Sequence, residues 1–249
     1  MTHSAGAVDL ATLADSIDRR LSEQGDQTRA AAERRYLKSS LVHYGVRVPD
    51  TRRTVRVALA EHTPLDRAGA IELALLLWDG VFERRRAALQ VLVGHARALE
   101  PEDLPLVADL ARQARTWALV DELAISVAGT VLASHPDDPQ VRATLRQWSQ
   151  DEDFWVRRCA LLAPLRVLRS LPREPAPLTP TQAAVLSEWD RCSEAMVDEK
   201  EFFIRKAIGW VLREVSKGRP DYVRGWLERF GSRASGVTRR EAVKYLPAP

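Results

Sequence analysis

Three short segments, far apart in a chain of 249 residues, each set a tryptophan near an ionisable side chain at helical spacing. They are Trp117 with Asp121, Trp155 with Arg158, and Trp210 with Lys206. Residues three or four apart on a helix share a face, so each pair joins an indole to a charge. Packing alone does not require such pairs. A surface that holds a polyanion, and attacks or stabilises part of it, does.

Each segment also has a plainer reading. Asp121 precedes Glu122, Leu123, Ala124, Ile125 and Val127, so its carboxylate sits beside a wide apolar face. Either it works there, or Trp117 is core and Asp121 caps or salt-links a neighbouring helix. The acidic run Asp151-Glu152-Asp153 opens the next segment, where it suits the positive end of a helix dipole. Beyond it, Trp155 and Arg158 can approach one phosphodiester. Arg157 points about a quarter-turn away, toward a salt bridge or a second phosphate. Equally, both arginines could answer acids on an adjacent helix. The third segment runs from Glu201 to Trp210, with Phe203, Ala207 and Trp210 on one stripe, Lys206 at its border, and Arg213 placed to extend a phosphate track. Phe202, Ile204 and Ile208 read as core. Gly209 inside this helix costs roughly 1 kcal/mol against alanine, which implies close approach of another helix or backbone.

Other chemistries find little support. The histidines are His3 in the tail and the dispersed His43, His62, His95 and His135, with no cysteine or carboxylate at metal spacing, so no metal site is expected. His43, beside Tyr44 and Gly45, reads as a helix end or turn. Cys159 and Cys192 read as buried thiols rather than a disulfide framework. There is no glycine-rich phosphate loop, nucleotide-binding lysine motif or nucleophile elbow; no cofactor, nucleotide or otherwise, is expected. No apolar run is read as reaching transmembrane length, and the first residues lack a secretory signal. The expected setting is a reducing cytoplasm, with no membrane partner.

Charge points to an anionic partner. The formal net charge is only +3, but the sequence pI is about 9.1. Lysine occurs only at positions 38, 200, 206, 217 and 244, so arginine carries most of the positive charge. Arginine forks suit phosphates, although such a bias can also be genome-wide habit. From Arg205 onward, eleven basic residues stand against four acidic ones, a stronger local sign of nucleic acid than the whole-chain value.

The elements that must position these residues are helical almost throughout. Apolar period 3.6 places helices near 8–22, 28–42, 51–60, 66–78, 81–98, 102–115, 117–134, 139–149, 153–169, 181–197, 201–217, 221–230 and 239–246. Asp138 caps a helix opening on Pro139; Thr179, Pro180 and Gln182 combine a cap, an N1 proline and a capping box. Thr238 with Glu241 repeats the box. Helix pairs of roughly 35 to 40 residues through 71–148 predict an all-α fold of HEAT-like antiparallel pairs, stacked into a curved superhelix with an elongated concave side. A compact orthogonal bundle is the alternative. The proline-rich stretch 170–180 is expected to be a surface loop inside one domain spanning 1–249.

At these segments the chain resembles the AlkD-like family of bacterial DNA alkylation repair glycosylases. The resemblance rests on Tyr36-Leu37-Lys38-Ser39, on Tyr44-Gly45-Val46-Arg47-Val48-Pro49, on Leu77-Trp78-Asp79, and on the Trp117–Asp121 motif. The strongest match is the run from Glu201 to Arg213, followed by Arg239-Arg240-Glu241-Ala242. It implies a HEAT-like stack whose basic concave face clasps duplex DNA. It carries the catalytic aspartate to Asp121, the DNA-contacting tryptophans to Trp117 and Trp210, and a backbone-binding arginine to Arg158. Trp155, Arg157, Lys206, Arg213, Arg47 and Lys38 complete the expected DNA-binding set. Thr116-Trp117-Ala118 departs from the family pattern of two tryptophans and an aspartate. The 170–180 stretch also looks longer than usual.

The implied activity is hydrolysis of the N-glycosidic bond of N3- or N7-alkylated purines in duplex DNA, without base extrusion, by a monomer that leaves an abasic site. No lysine is placed as a Schiff-base nucleophile, which implies a monofunctional enzyme. The rival readings are a noncatalytic HEAT-like protein that binds distorted or alkylated DNA, and a protein-binding helical scaffold.

Overall fold

A computed structural model of the chain describes residues 9–246; His3 and the first position of the expected 8–22 helix lie outside them. Among the described residues the regular structure is helical, and the sole sheet-like feature is an isolated parallel bridge between Val42 and Val81. The all-α architecture of HEAT-like helix pairs follows from apolar stripes on short helices that bury one another across tight connections.

The chain divides into two compact units. The first comprises residues up to Leu99 together with Ala114–Leu119. In it, Leu10–Glu23 places Leu13, Ile17 and Leu21 on one fully buried stripe, and Asp9 caps its start. Arg67–Leu77 and Phe82–His95 pack as a pair across the 78–81 connection, burying Leu73, Leu77, Phe82, Leu89 and Leu92. Each such side chain stabilises the fold by about 1.5–3 kcal/mol relative to exposure. Gly45 is required in the turn after His43: its φ is +85°, and a Cβ there would lie 2.1 Å from the Asp26 carbonyl.

The second unit comprises Glu100–Gln113 and everything from Val120. Phe154–Leu162 lies at its centre, packed on Pro139–Ser149, Phe202–Ser216 and Pro180–Ala195. Asp138 and Pro139 open one of these helices as expected, and the Thr179–Gln182 capping box forms in full. The 170–180 stretch is tied down rather than free. Its Glu174 amide donates to the Gly218 carbonyl, and its Glu174 carboxylate accepts the amides of Asp221 and Tyr222.

Several boundaries depart from the sequence reading. The expected helix 28–42 ends at Leu37, where Lys38 turns left-handed at φ 50°. The expected 153–169 helix is interrupted at 163–164, before Leu165–Leu168; Pro164 has no amide hydrogen to continue the ladder. Near the C-terminus the cap is Ser235, whose hydroxyl accepts the Thr238 amide, and not Thr238. Thr238 is buried and instead donates to the Arg205 carbonyl. The expected single helix 117–134 is Trp117–Glu122, then a π-helical segment Leu123–Ala128, then Gly129–Ser134. The stretch Trp117–Ser134, with hydropathy 1.4, is long and apolar enough to cross a membrane by length and composition, which corrects the reading that no run reaches that length. More than half of it is buried within the protein, at 56%, as the core helix of a globular fold is.

Candidate functional site

In the second unit, Asp121 and Arg158 meet. Arg158 Nε donates to Asp121 Oδ1 at 2.7 Å and its Nη2 donates to Oδ2 at 2.9 Å. Nη1 of the same guanidinium donates to the Phe203 carbonyl. This fork-to-fork geometry fixes the carboxylate plane as a single point charge would not. The arginine side chain is 4% exposed and the aspartate 16%, so the pair is sunk in the fold with an edge of carboxylate open. Asp121 stands two residues before the π-helical Leu123–Ala128. Such π segments are rare, are frequent at functional sites, and re-aim the side chains beyond them.

A wall of aromatics stands behind the pair. The rings of Trp155 and Phe203 lie 4.8 Å apart, and Phe154 sits 4.4 Å from Trp155. Trp155 is buried, so it supports Phe203 and Arg158 from inside. Both residues are expected to contact a phosphate; here Trp155 lies in the core, and Arg158 turns three of its five N–H groups to Asp121 and Phe203. Arg157 is likewise engaged internally. Its Nε and Nη2 donate to Glu199, and its Nη1 donates to the carbonyls of Asp151 and Glu152. Here the plainer salt-bridge reading describes the contacts.

Further along Phe202–Ser216, Lys206 and Arg213 both donate to the carboxylate of Glu241. The bond from Lys206 is the main cause holding Glu241 below its ordinary range. Lys206 keeps 42% of its side chain exposed, so its ammonium retains access to solvent beside this partner. Gly209 allows the arrangement: a Cβ there would meet Glu241 Cβ at 2.7 Å and the Thr238 carbonyl at 2.9 Å. The close approach inferred from a mid-helix glycine is thus made by Gly236–Ala242. Trp210 is half-buried, with the Arg169 guanidinium 5.8 Å from its ring centroid.

In the first unit, half-buried Trp117 meets Tyr36 edge to face, with centroids 6.1 Å apart. Tyr36 is 74% exposed, unusual for so large a ring, and sequence reasoning did not select it as a site residue. Lys38, just beyond it, is exposed at the left-handed end of its helix. Arg47 is exposed and donates to Asp50 one turn on. Phe203, through its carbonyl, and Glu241 were also missed as parts of the site. Backbone acceptors leave no signal in side-chain spacing, and Glu241 resembled a capping residue.

The expectation of no clustered ligands needs revision. Glu33, His43 and Glu83, remote in sequence, bring one ligand atom each within 4.8 Å of one another in the first unit.

The profile of the family described as "DNA alkylation repair enzyme" matches residues 17–246. The chain belongs to that family. Among solved structures, this family member is similar to a predicted DNA alkylation repair enzyme from Enterococcus faecalis, with 22% identity, 91% of this chain and 98% of that one covered, and a TM-score of 0.73. It is also similar to AlkD2 from Streptococcus mutans, at 17% identity over 89% of this chain and 99% of that one, with a TM-score of 0.60. The protein smu.31 from Streptococcus mutans UA159 gives 16% identity, 94% and 100% coverage, and a TM-score of 0.62. At these identities the likeness is one of fold. No curated protein sequence matches the chain.

Proposed function

We propose that this DNA alkylation repair enzyme is a monofunctional glycosylase that hydrolyses the N-glycosidic bond of N3- or N7-alkylated purines in duplex DNA. The observation that carries the reading is the Asp121 carboxylate, held in plane by Arg158 with part of its surface open. An alkylated purine is already cationic and leaves without much acid help. As the bond stretches, positive charge gathers on the deoxyribose. A preorganised carboxylate stabilises that charge and orients water for attack.

The half-buried indoles of Trp117 and Trp210 pack against the sugar–phosphate backbone in this reading, and the damaged base stays stacked. Lys206, Arg213, Lys38 and Arg47 supply phosphate contacts, with Lys206 and Arg47 the more open of those paired here. Arg158 acts through Asp121. Tyr36 joins the DNA-contacting aromatics through its exposure and its contact with Trp117.

The test is direct. Purified protein is incubated with duplex DNA carrying 7-methylguanine or 3-methyladenine, and free base is measured by mass spectrometry. Release that collapses in Asp121→Asn, with the fold intact by circular dichroism and DNA binding retained, supports the reading. Absence of release across small and bulky adducts rejects it in favour of a noncatalytic binder of damaged duplex.

A further inference from the structure

A second cluster of ionisable groups lies in the first unit. Glu33 comes from Gln27–Leu37, His43 from the 39–47 connection, and Glu83 from the first turn of Phe82–His95. The His43 side chain is 1% exposed, and its ring stacks on Phe82 with centroids 4.4 Å apart. Neither ring nitrogen has a hydrogen-bond partner, and both are shut off from solvent. The same holds for Glu33 Oε2, which faces His43 Nδ1 at 3.6 Å, beyond hydrogen-bond reach. Buried polar atoms are nearly always satisfied. Glu33 Oε2 and one imidazole nitrogen of His43, converging without a partner, indicate a missing group that accepts electron pairs.

We propose that Glu33, His43 and Glu83 bind a divalent transition-metal ion of the Zn2+ kind, which pins the 39–47 connection to the two helices. One imidazole nitrogen and two carboxylate oxygens are an accepted donor set for zinc, leaving a fourth position for water. The ligand atoms lie within 4.8 Å of one another, so a modest inward shift closes the shell around an ion with bonds of about 2 Å. Imidazole disfavours Mg2+ and Ca2+, which take oxygen ligands.

The surroundings supply orientation and a charge argument. Glu83 is wholly buried and accepts the amides of Tyr44, Gly45 and Val46, which lock its carboxylate in place. Its Oε2 takes only one of these, from Tyr44. Arg86 reaches the far oxygen of Glu33, Oε1, at 3.7 Å and leaves Oε2 turned toward the histidine. Glu33 and Glu83 bring two carboxylates to one place, and a cation bound between them relieves their mutual repulsion.

The experiment is titration of chelator-stripped full-length protein with Zn2+ by calorimetry, and with Co2+ by visible absorption. The expected result is one equivalent bound, Co2+ d–d bands, and a thermal midpoint that rises with Zn2+ but not with Mg2+. His43→Phe keeps a ring against Phe82 while removing both nitrogens, and Glu33→Gln keeps the shape. Each should weaken binding at least about tenfold and abolish the thermal response. Absence of Zn2+ binding by the unaltered protein overturns the proposal, as does binding that survives both substitutions. A thermal midpoint that ignores Zn2+ overturns it too.

Discussion

Replacing Arg158 by methionine separates positioning of the carboxylate from contact with DNA. The guanidinium makes two bonds to Asp121, at 2.7 and 2.9 Å, and one to the Phe203 carbonyl. Both members of the pair are mostly buried, at 4% and 16% exposure. Arg158→Met therefore strands a carboxylate with little water to receive it. Breaking a buried pair from one side costs about 3–5 kcal/mol. A chain of this size loses about 2–4 °C per kcal/mol, so the thermal midpoint should drop by about 10 °C. Adding Asp121→Asn removes the stranded charge and should recover about 1–3 kcal/mol by denaturant unfolding, a coupling that independent sites do not show. In single-turnover base release, Arg158→Met should slow the chemistry on the order of 100-fold. The slope of log affinity against log salt should stay unchanged, because each phosphate ligand contributes roughly one unit to it and Arg158 is buried with its guanidinium turned to Asp121 and Phe203. A slope reduced by about one unit, or single substitutions that add within about 0.5 kcal/mol, would refute the positioning role.

Lys206→Ala, by contrast, should lower that salt slope by roughly one unit, while Glu241→Gln, which releases Lys206 and Arg213, should tighten DNA binding a few-fold in fluorescence anisotropy. Gly45→Ala forces a side chain into the Asp26 carbonyl at positive φ; chemical denaturation should register a loss of at least about 2 kcal/mol. Glu33 and Glu241 are held below the usual glutamate value of 4.5. The stability they contribute is therefore complete above that pH and is lost as pH falls through their depressed values, so unfolding midpoints should decline below about pH 4.5. Burial raises Cys192 to about 11 and pushes Cys159 higher still; a thiol reagent should leave both untouched in the native protein and label both in denaturant.

The helical text was legible because its determinants are local. Asp138 before Pro139 and the Thr179–Gln182 box set helix starts through bonds spanning two or three residues. The C-terminal start differs because Ser235 and Thr238 are both favoured cap types. Only packing under Phe202–Ser216 buries the second and sends its hydroxyl to Arg205. The π-helical turn after Asp121 has no local signal at all, since Leu123-Ala124-Ile125-Ser126-Val127-Ala128 is equally good α-helical sequence.

The sequence by itself determined the all-α class, most helix starts, the buried thiols and the close approach at Gly209. Those follow from periodicity, capping chemistry and steric size, which act over a few residues. The tertiary structure decided the partners. It turned Arg158 inward to Asp121, placed Trp155 in the wall behind them, joined Lys206 and Arg213 through Glu241, and gathered Glu33, His43 and Glu83 from three separate elements. A charged side chain's partner depends on which helices pack together, and sequence spacing carries no record of contacts some 35 to 50 residues apart.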